Sequence, residues 1–219
     1  AALQWDSERD LYARLKSQPA MLGHSTFMDT FFTNTEAGSV IKSFYLAEAE
    51  VAAILEMPGE WGIALTVAAD SVAAIEDAAD IQLGELVNAN DRTDSLEVYW
   101  EVAAIRERLA THLTVVLEKQ HLMDSLRQER AMAALPAVMA LPANNMLQSN
   151  RKSVLQIYLE IAAVDATQLT AGQFDTISAI AHQCPLAGGN AVYMARSLYQ
   201  LNGQKRFNDL ELCNLPIER

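Results

Sequence analysis

Residues 182–202 read "HQCPLAGGNAVYMARSLYQLN", and the fold turns on what this stretch is. A Cys-Pro break is followed by two adjacent glycines in a chain that holds only 9, and an amphipathic pattern begins at once. Glycine-rich turns that open helices bind phosphates, because the first N–H groups of a helix lack partners and attract anions. That reading needs a β-strand before the glycines and a lysine followed by Ser or Thr after them. Neither is present. The preceding segment is itself helical in pattern, opened by the capping box "TAGQ" (170–173) and carrying Phe174, Ile177, Ile180 and Ala181. Pro185, Gly188 and Gly189 are therefore read as a corner between two packed helices, at a point where a Cβ would hold the backbones apart. Asn190 is expected to cap the following helix, which carries Val192, Tyr193, Ala195, Leu198 and Tyr199. Arg196 on that helix is expected to pair with a nearby acid or carbonyl, and "LNG" ends the helix at Gly203.

Helical periodicity continues outward from this corner to both ends. "SERD" (7–10) reads as an N-cap with an acid three positions on, and Pro19 closes that first helix. Ser25 opens a short segment with Phe27, Met28, Phe31 and Phe32, and a longer helix is expected from about Glu36 to Glu56. "MPGEW" (57–61) is a break. Residues 61–89 repeat Ile63, Val67, Ala74, Ile75, Ala78 and Ile81 at helical spacing. After the turn "NANDRTD" (88–94), Asp94 and Glu97 suggest the start of a very long helix reaching about Leu135. Its stripe is Leu96, Tyr99, Val102, Ile105, Leu109, Leu113, Val116 and Leu117. Such a helix spans roughly 60 Å and needs the preceding helix packed against it as an antiparallel hairpin. "LPAVMALPANN" (135–145) is the best internal boundary, and helices resume with Leu147, Val154, Ile157, Tyr158 and Ile161. No alternating strand pattern appears. The expected fold is all-α: antiparallel hairpins in a bundle or short solenoid-like array. Parts 1–135 and 136–219 are expected to form one continuous domain.

Composition narrows the function classes. A chain of 219 residues with 51% hydrophobic content buries a sizeable core. Few prolines, glycines and aromatics beside many alanines and leucines favour helix. The formal charge of −12 leaves no basic face for a nucleic acid. No apolar run reaches the ~18 residues of a membrane span, so no membrane insertion is expected. The opening "AALQWDSERD" has neither the cationic nor the apolar part of a signal peptide, as would also hold for a segment of a larger secreted chain. Cys184 and Cys213 allow one intramolecular bridge, and two reduced thiols in a cytosolic protein fit the residues equally.

Candidate chemistries lack their partners. Glu118 and His121 have the Glu-x-x-His spacing of di-iron bundles, which requires a second such pair. His24, His112 and His182 have no glutamate three residues before them. A catalytic cysteine pair sits close in sequence, whereas Cys213 follows Cys184 by 29 residues. Surface acids such as Glu48 and Glu50 read as a solvated face. No catalytic residue, metal ligand or cofactor site is assigned, and no enzyme is expected.

The segment "ISAIAHQCPLAGGNAVYMARSLYQL" (177–201) resembles a helical region of large surface or secreted proteins of Bacteroidetes-type bacteria. There it lies before the C-terminal sorting domain of the type IX secretion system. Gln-Cys-Pro, Gly-Gly, Ala-Val-Tyr, Ala-Arg and a second cysteine carry the likeness. "LPANNMLQSNRKSVLQIYLEIAA" (141–163) and "DLYARLKSQPAML" (10–22) extend it. The sequence ends at "LCNLPIER" with no sorting domain visible. The resemblance implies an oxidising, secreted or cell-surface location, and with it a Cys184–Cys213 bridge that staples "FNDLELC" (207–213) onto the last helical pair. It also implies a non-enzymatic structural module whose partners are neighbouring domains of a larger chain, other proteins or components of the secretion system. The alternative is a helical-repeat-like adaptor that holds a peptide or protein in a groove between hairpins.

Overall fold

A computed structural model describes residues 2–88, 92–202 and 206–214. Among these no strand occurs, and the chain is a succession of helices. The first are α1 (Ala2–Ser17), α2 (Thr26–Glu36), α3 (Val40–Ala53), α4 (Gly59–Asn88) and α5 (Arg92–Met139). They are followed by α6 (Met146–Val164), α7 (Ala171–Ala181), α8 (Pro185–Gly188), α9 (Ala191–Tyr199) and α10 (Asp209–Leu212). Gly203 lies outside the described residues. Contacts divide the chain into two compact units, residues 1–55 with 127–219 and residues 56–126.

The first unit is built around α6, which is apolar on two sides. Leu155 and Leu159 join Phe44, Val51 and Ile54 of the α3 region and Ala131, Ala134, Val138 and Leu141 at the end of α5. Val154 and Ile157 face Ile177, Ile180 and Ala181 of α7 and Val192 and Ala195 of α9. Residue 135, where the sequence suggested a boundary, therefore lies inside one core. Helix α5 runs through Pro136 to Met139, and the Pro136 carbonyl accepts the Ala140 N–H at 3.0 Å. Proline is tolerated so near the helix end because it forfeits one hydrogen bond, to Met132 on the exposed side.

Several helix boundaries differ from expectation. Ser7 is inside α1 and caps nothing: the helix extends back to Ala2, which is buried, while Trp5 meets Phe44 edge-to-face at 5.5 Å. Tertiary packing here outweighs a local cap signal. The helix expected from about Glu36 to Glu56 is shorter: Glu36 is the last residue of α2, and α3 begins at Val40 and ends at Ala53. Gly38 sits at φ +117°, and Ser39 Oγ accepts the Lys42 N–H at 3.3 Å to start α3. Asp94 lies within α5, not at its cap.

In the second unit α4 and α5 lie antiparallel, with Trp61 beneath Lys119 at one end and Ala78 and Ile81 beside Ala104 and Ile105 further along. Ala68, Ile75, Val98, Ile105 and Met123 are buried. Much of the expected stripe is not: Ile63, Val67, Ile81, Leu96, Tyr99, Leu113 and Leu117 are exposed. Two helices cover only one face of each other, and the apolar residues here are spread around more than one.

Candidate functional site

The Cys-Pro/Gly-Gly segment forms the corner expected of it. Cys184 is extended, as a residue before proline must be, and Pro185 opens the single turn of α8. Cys184 O accepts the Gly188 N–H at 2.8 Å, and Pro185 O accepts the Gly189 N–H at 2.9 Å. Gly189 then takes φ +72° and ψ −170°, a conformation essentially confined to glycine, and α9 begins two residues later. Gly188 has no room for a side chain: a Cβ there would lie 2.6 Å from both Val192 Cγ2 and Gln183 Oε1. Both glycines are required, one for conformation and one for space.

Polar groups from two distant parts of the chain, α6 and α1, are spent on holding this corner. Asn150, buried in the middle of α6, donates through Nδ2 to Gln183 Oε1 at 2.7 Å and to Gly188 O at 3.4 Å. Gln183 Nε2 donates back to Asn150 Oδ1 at 3.3 Å. Asn190 occupies the cap position of α9, but its side chain accepts no hydrogen bond from the helix, contrary to expectation. Its own backbone is helical, which turns the side chain away from the first-turn N–H groups. Its N–H instead donates to Asp6 Oδ2 of α1 at 3.1 Å. The anion-attracting start of α9 therefore already holds a carboxylate, and the space around it leaves no room for a water molecule.

Asp6 belongs to a chain of charges. Arg9 reaches Asp6 Oδ1 at 3.5 Å and donates to both carboxylate oxygens of Glu48. Arg151 Nε donates to Glu48 Oε1 at 2.7 Å, and Nη1 points at Met194 Sδ. Glu48 is thus a half-buried bridge between α1, α3 and α6, not part of a solvated face. Glu50 is exposed as expected.

The tail closes the other side. Cys184 and Cys213 are disulfide-bonded, with Cα atoms 4.7 Å apart. Both sulfurs being bonded, neither offers a thiolate for attack in this state. Arg196, only 11% exposed, donates from Nε to Ala181 O at 3.0 Å and from Nη2 to Gln183 O at 3.4 Å and Asp209 Oδ1 at 2.6 Å. It thereby neutralises the carboxyl end of α7 and ties it to α10. Its guanidinium also sits 4.7 Å from the Phe207 ring centroid. His182 Nδ1 bonds Ser178 O at 2.7 Å, and its ring packs edge-on against Tyr199 and Phe207.

All seven residues singled out from the sequence, Cys184, Pro185, Gly188, Gly189, Asn190, Arg196 and Cys213, meet in this one place. Sequence reasoning missed Asp6, Arg9, Glu48, Asn150 and Arg151. Asn150 carried a signal, an amide within an apolar helix, whereas the others look like ordinary surface charges. Glu118 and His121 are both exposed, and among the described residues no three His, Cys, Asp or Glu side chains converge as a metal site would require. None of the described helices is long and apolar enough to cross a membrane. No family model matches the chain, and no curated protein or solved structure is significantly similar to it.

Proposed function

We propose that the chain is a non-enzymatic structural module near the C-terminus of an exported cell-surface or secreted protein, like the type IX-associated regions that its sequence resembles. Its work there would be to support upstream domains or to present a rigid end to the secretion machinery. The observation that carries this reading is the corner itself. Its anion position is filled by Asp6, its glycines are packed against side chains, and its cysteines form a bond that persists in oxidising compartments. Such a site holds helices together and leaves no vacancy for a substrate. Intact mass of protein purified from its source tests the reading: Cys184 and Cys213 should take up alkylating reagent only after reduction. Uptake of two equivalents by native, unreduced protein would argue for a reducing compartment and against export.

The second reading, an adaptor that holds a protein or peptide between helices, is favoured by one feature of the second unit. Its two helices leave Ile63, Val67, Ile81, Tyr99, Trp100 and Leu117 in solvent. Apolar side chains exposed along one helix face, as Ile63, Val67 and Ile81 are on α4, are a mark of interaction faces. Both readings describe a binding or supporting role, and they differ in whether residues 56–126 take a separate partner.

A further inference from the structure

We infer that the α4–α5 hairpin docks a cationic amphipathic helix along the groove between its two helices. This rests on the adaptor reading and names the chemistry of what the groove would hold. Ile63, Val67 and Ile81 recur at helical spacing on one side of α4 and are 69%, 59% and 63% exposed. Ala74 and Ala78 lie between them on that side, small enough to let another helix come close. Across from Ile81, Ala78 and Gln82, α5 contributes Ala104, Ile105, Glu101 and one cation, Arg108, to an open groove of about 330 Å³. The negative charge that would attract a cationic helix therefore comes from the unit around the groove more than from its lining. Gln82, which lines that groove, keeps its Oε1 buried without a hydrogen-bond partner.

Charge selects among possible occupants. Residues 56–126 hold 14 of the chain's 28 acidic residues and 4 of its 16 basic ones, so −10 of the formal −12 falls on this unit. Helix α4 contains six acidic residues and no lysine or arginine. Asp70 and Asp77 are exposed on the same side as the isoleucines. A second copy would bring −10 against −10, and an anionic lipid surface would be repelled in the same way. A helix with one apolar face and lysine or arginine along its edges matches all three features, in the helix-in-groove mode of recognition.

The test uses the full chain and three synthetic peptides of roughly 18 residues, about the span from Ile63 to Ile81. Each repeats leucine at helical spacing with lysine, glutamine or glutamate at the remaining positions, and binding is followed by calorimetry. The lysine peptide should bind one-to-one, at least about 10-fold tighter than the glutamine peptide, and more weakly as salt is added. Val67→Ser with Ile81→Ser should weaken it at least about 10-fold while helix content and the disulfide are unchanged, because two aliphatic contacts are lost at exposed positions. Asp175→Asn, an exposed acid on α7, should leave it unaltered. If the glutamine peptide binds as tightly as the lysine one, the groove survives and its cationic occupant does not. If no peptide binds, or the serine variant binds as well as the parent, the adaptor reading falls too. A dimer in light scattering that the serine variant abolishes would mean the face covers itself, overturning the inference.

Discussion

Single residues in this protein are constrained by conformation and charge in ways that can be measured separately. Gly189 takes a backbone conformation that costs other residues about 1–3 kcal/mol, and a Cβ there would also touch Leu147 Cδ2 at 3.2 Å and Asp6 Oδ2 at 3.3 Å. Gly189→Ala should therefore lower unfolding stability by about that amount, and Gly189→Val by more. An unchanged denaturant midpoint in either variant would remove the corner from the list of structural determinants. Glu36 offers a pH experiment. Hydrogen bonds from Lys16, Lys42 and Tyr12 hold its carboxyl at about 2, below the ordinary 4.5. The same contact raises Lys16, while burial and then the bond to Glu36 push Tyr12 upward. A depressed carboxylate stabilises the fold fully above its unfolded value and loses that contribution as pH falls from 4.5 towards 2. Glu36→Gln should flatten the acid limb of a stability–pH curve in that window; an equally steep limb in the variant would assign the acid sensitivity to other groups. The glycine pair was legible in sequence because it is rare and local. Glu36 was not, since its partners come from 20 residues before and 6 after and nothing in the spacing marks them.

Between elements, charges do the joining where apolar contact alone would leave orientation loose. Glu48 links α1 to α6 through Arg9 and Arg151, separations of 39 and 103 residues. Removing its charge strands two half-buried guanidinium groups. A fully buried pair broken this way costs about 3–5 kcal/mol, and with Glu48 at 21% exposure about 1–3 kcal/mol is expected for Glu48→Gln. A double-mutant cycle with Arg9→Met should recover part of the loss; additive losses would show that the two residues do not act as a pair. Helices α1 to α7 and α9 were legible as helices, because their apolar spacing follows 3.6 residues, whereas the single turn of α8 was read as part of the corner; the capping box at Thr170 formed as read. Helix starts and apolar faces were less legible. α1 runs past a convincing cap because Trp5 gains a core contact, and α4 and α5 expose residues whose spacing alone reads as core. Periodicity reports that a face is apolar, and only the arrangement of neighbours decides whether anything lies against it.

At the scale of the whole chain, residues 56–126 enter and leave the first unit at adjacent points. Arg130 Nη1 donates to Ala53 O at 2.8 Å, and Ile54 shares a core with Ala131 and Ala134. The first unit therefore does not need the hairpin to bring its ends together, as is common where one structural unit is inserted into another. Replacing residues 56–126 with a flexible linker of about eight Gly and Ser residues, which reaches roughly 16 Å, should leave a folded chain. It should retain the Cys184–Cys213 bond and a cooperative thermal transition. Reducing that bond releases a loop of 29 residues, and the chain-entropy model gives about 3–4 kcal/mol for it. The same loss is expected in the full and the shortened chain, because the corner, the Arg196 contacts and the α6 core all lie on the first unit. Unequal losses, or a shortened chain that melts without a transition, would mean the hairpin helps to hold the corner. Equal losses would leave the hairpin's acidic, apolar surface free of any part in stability and available for a partner.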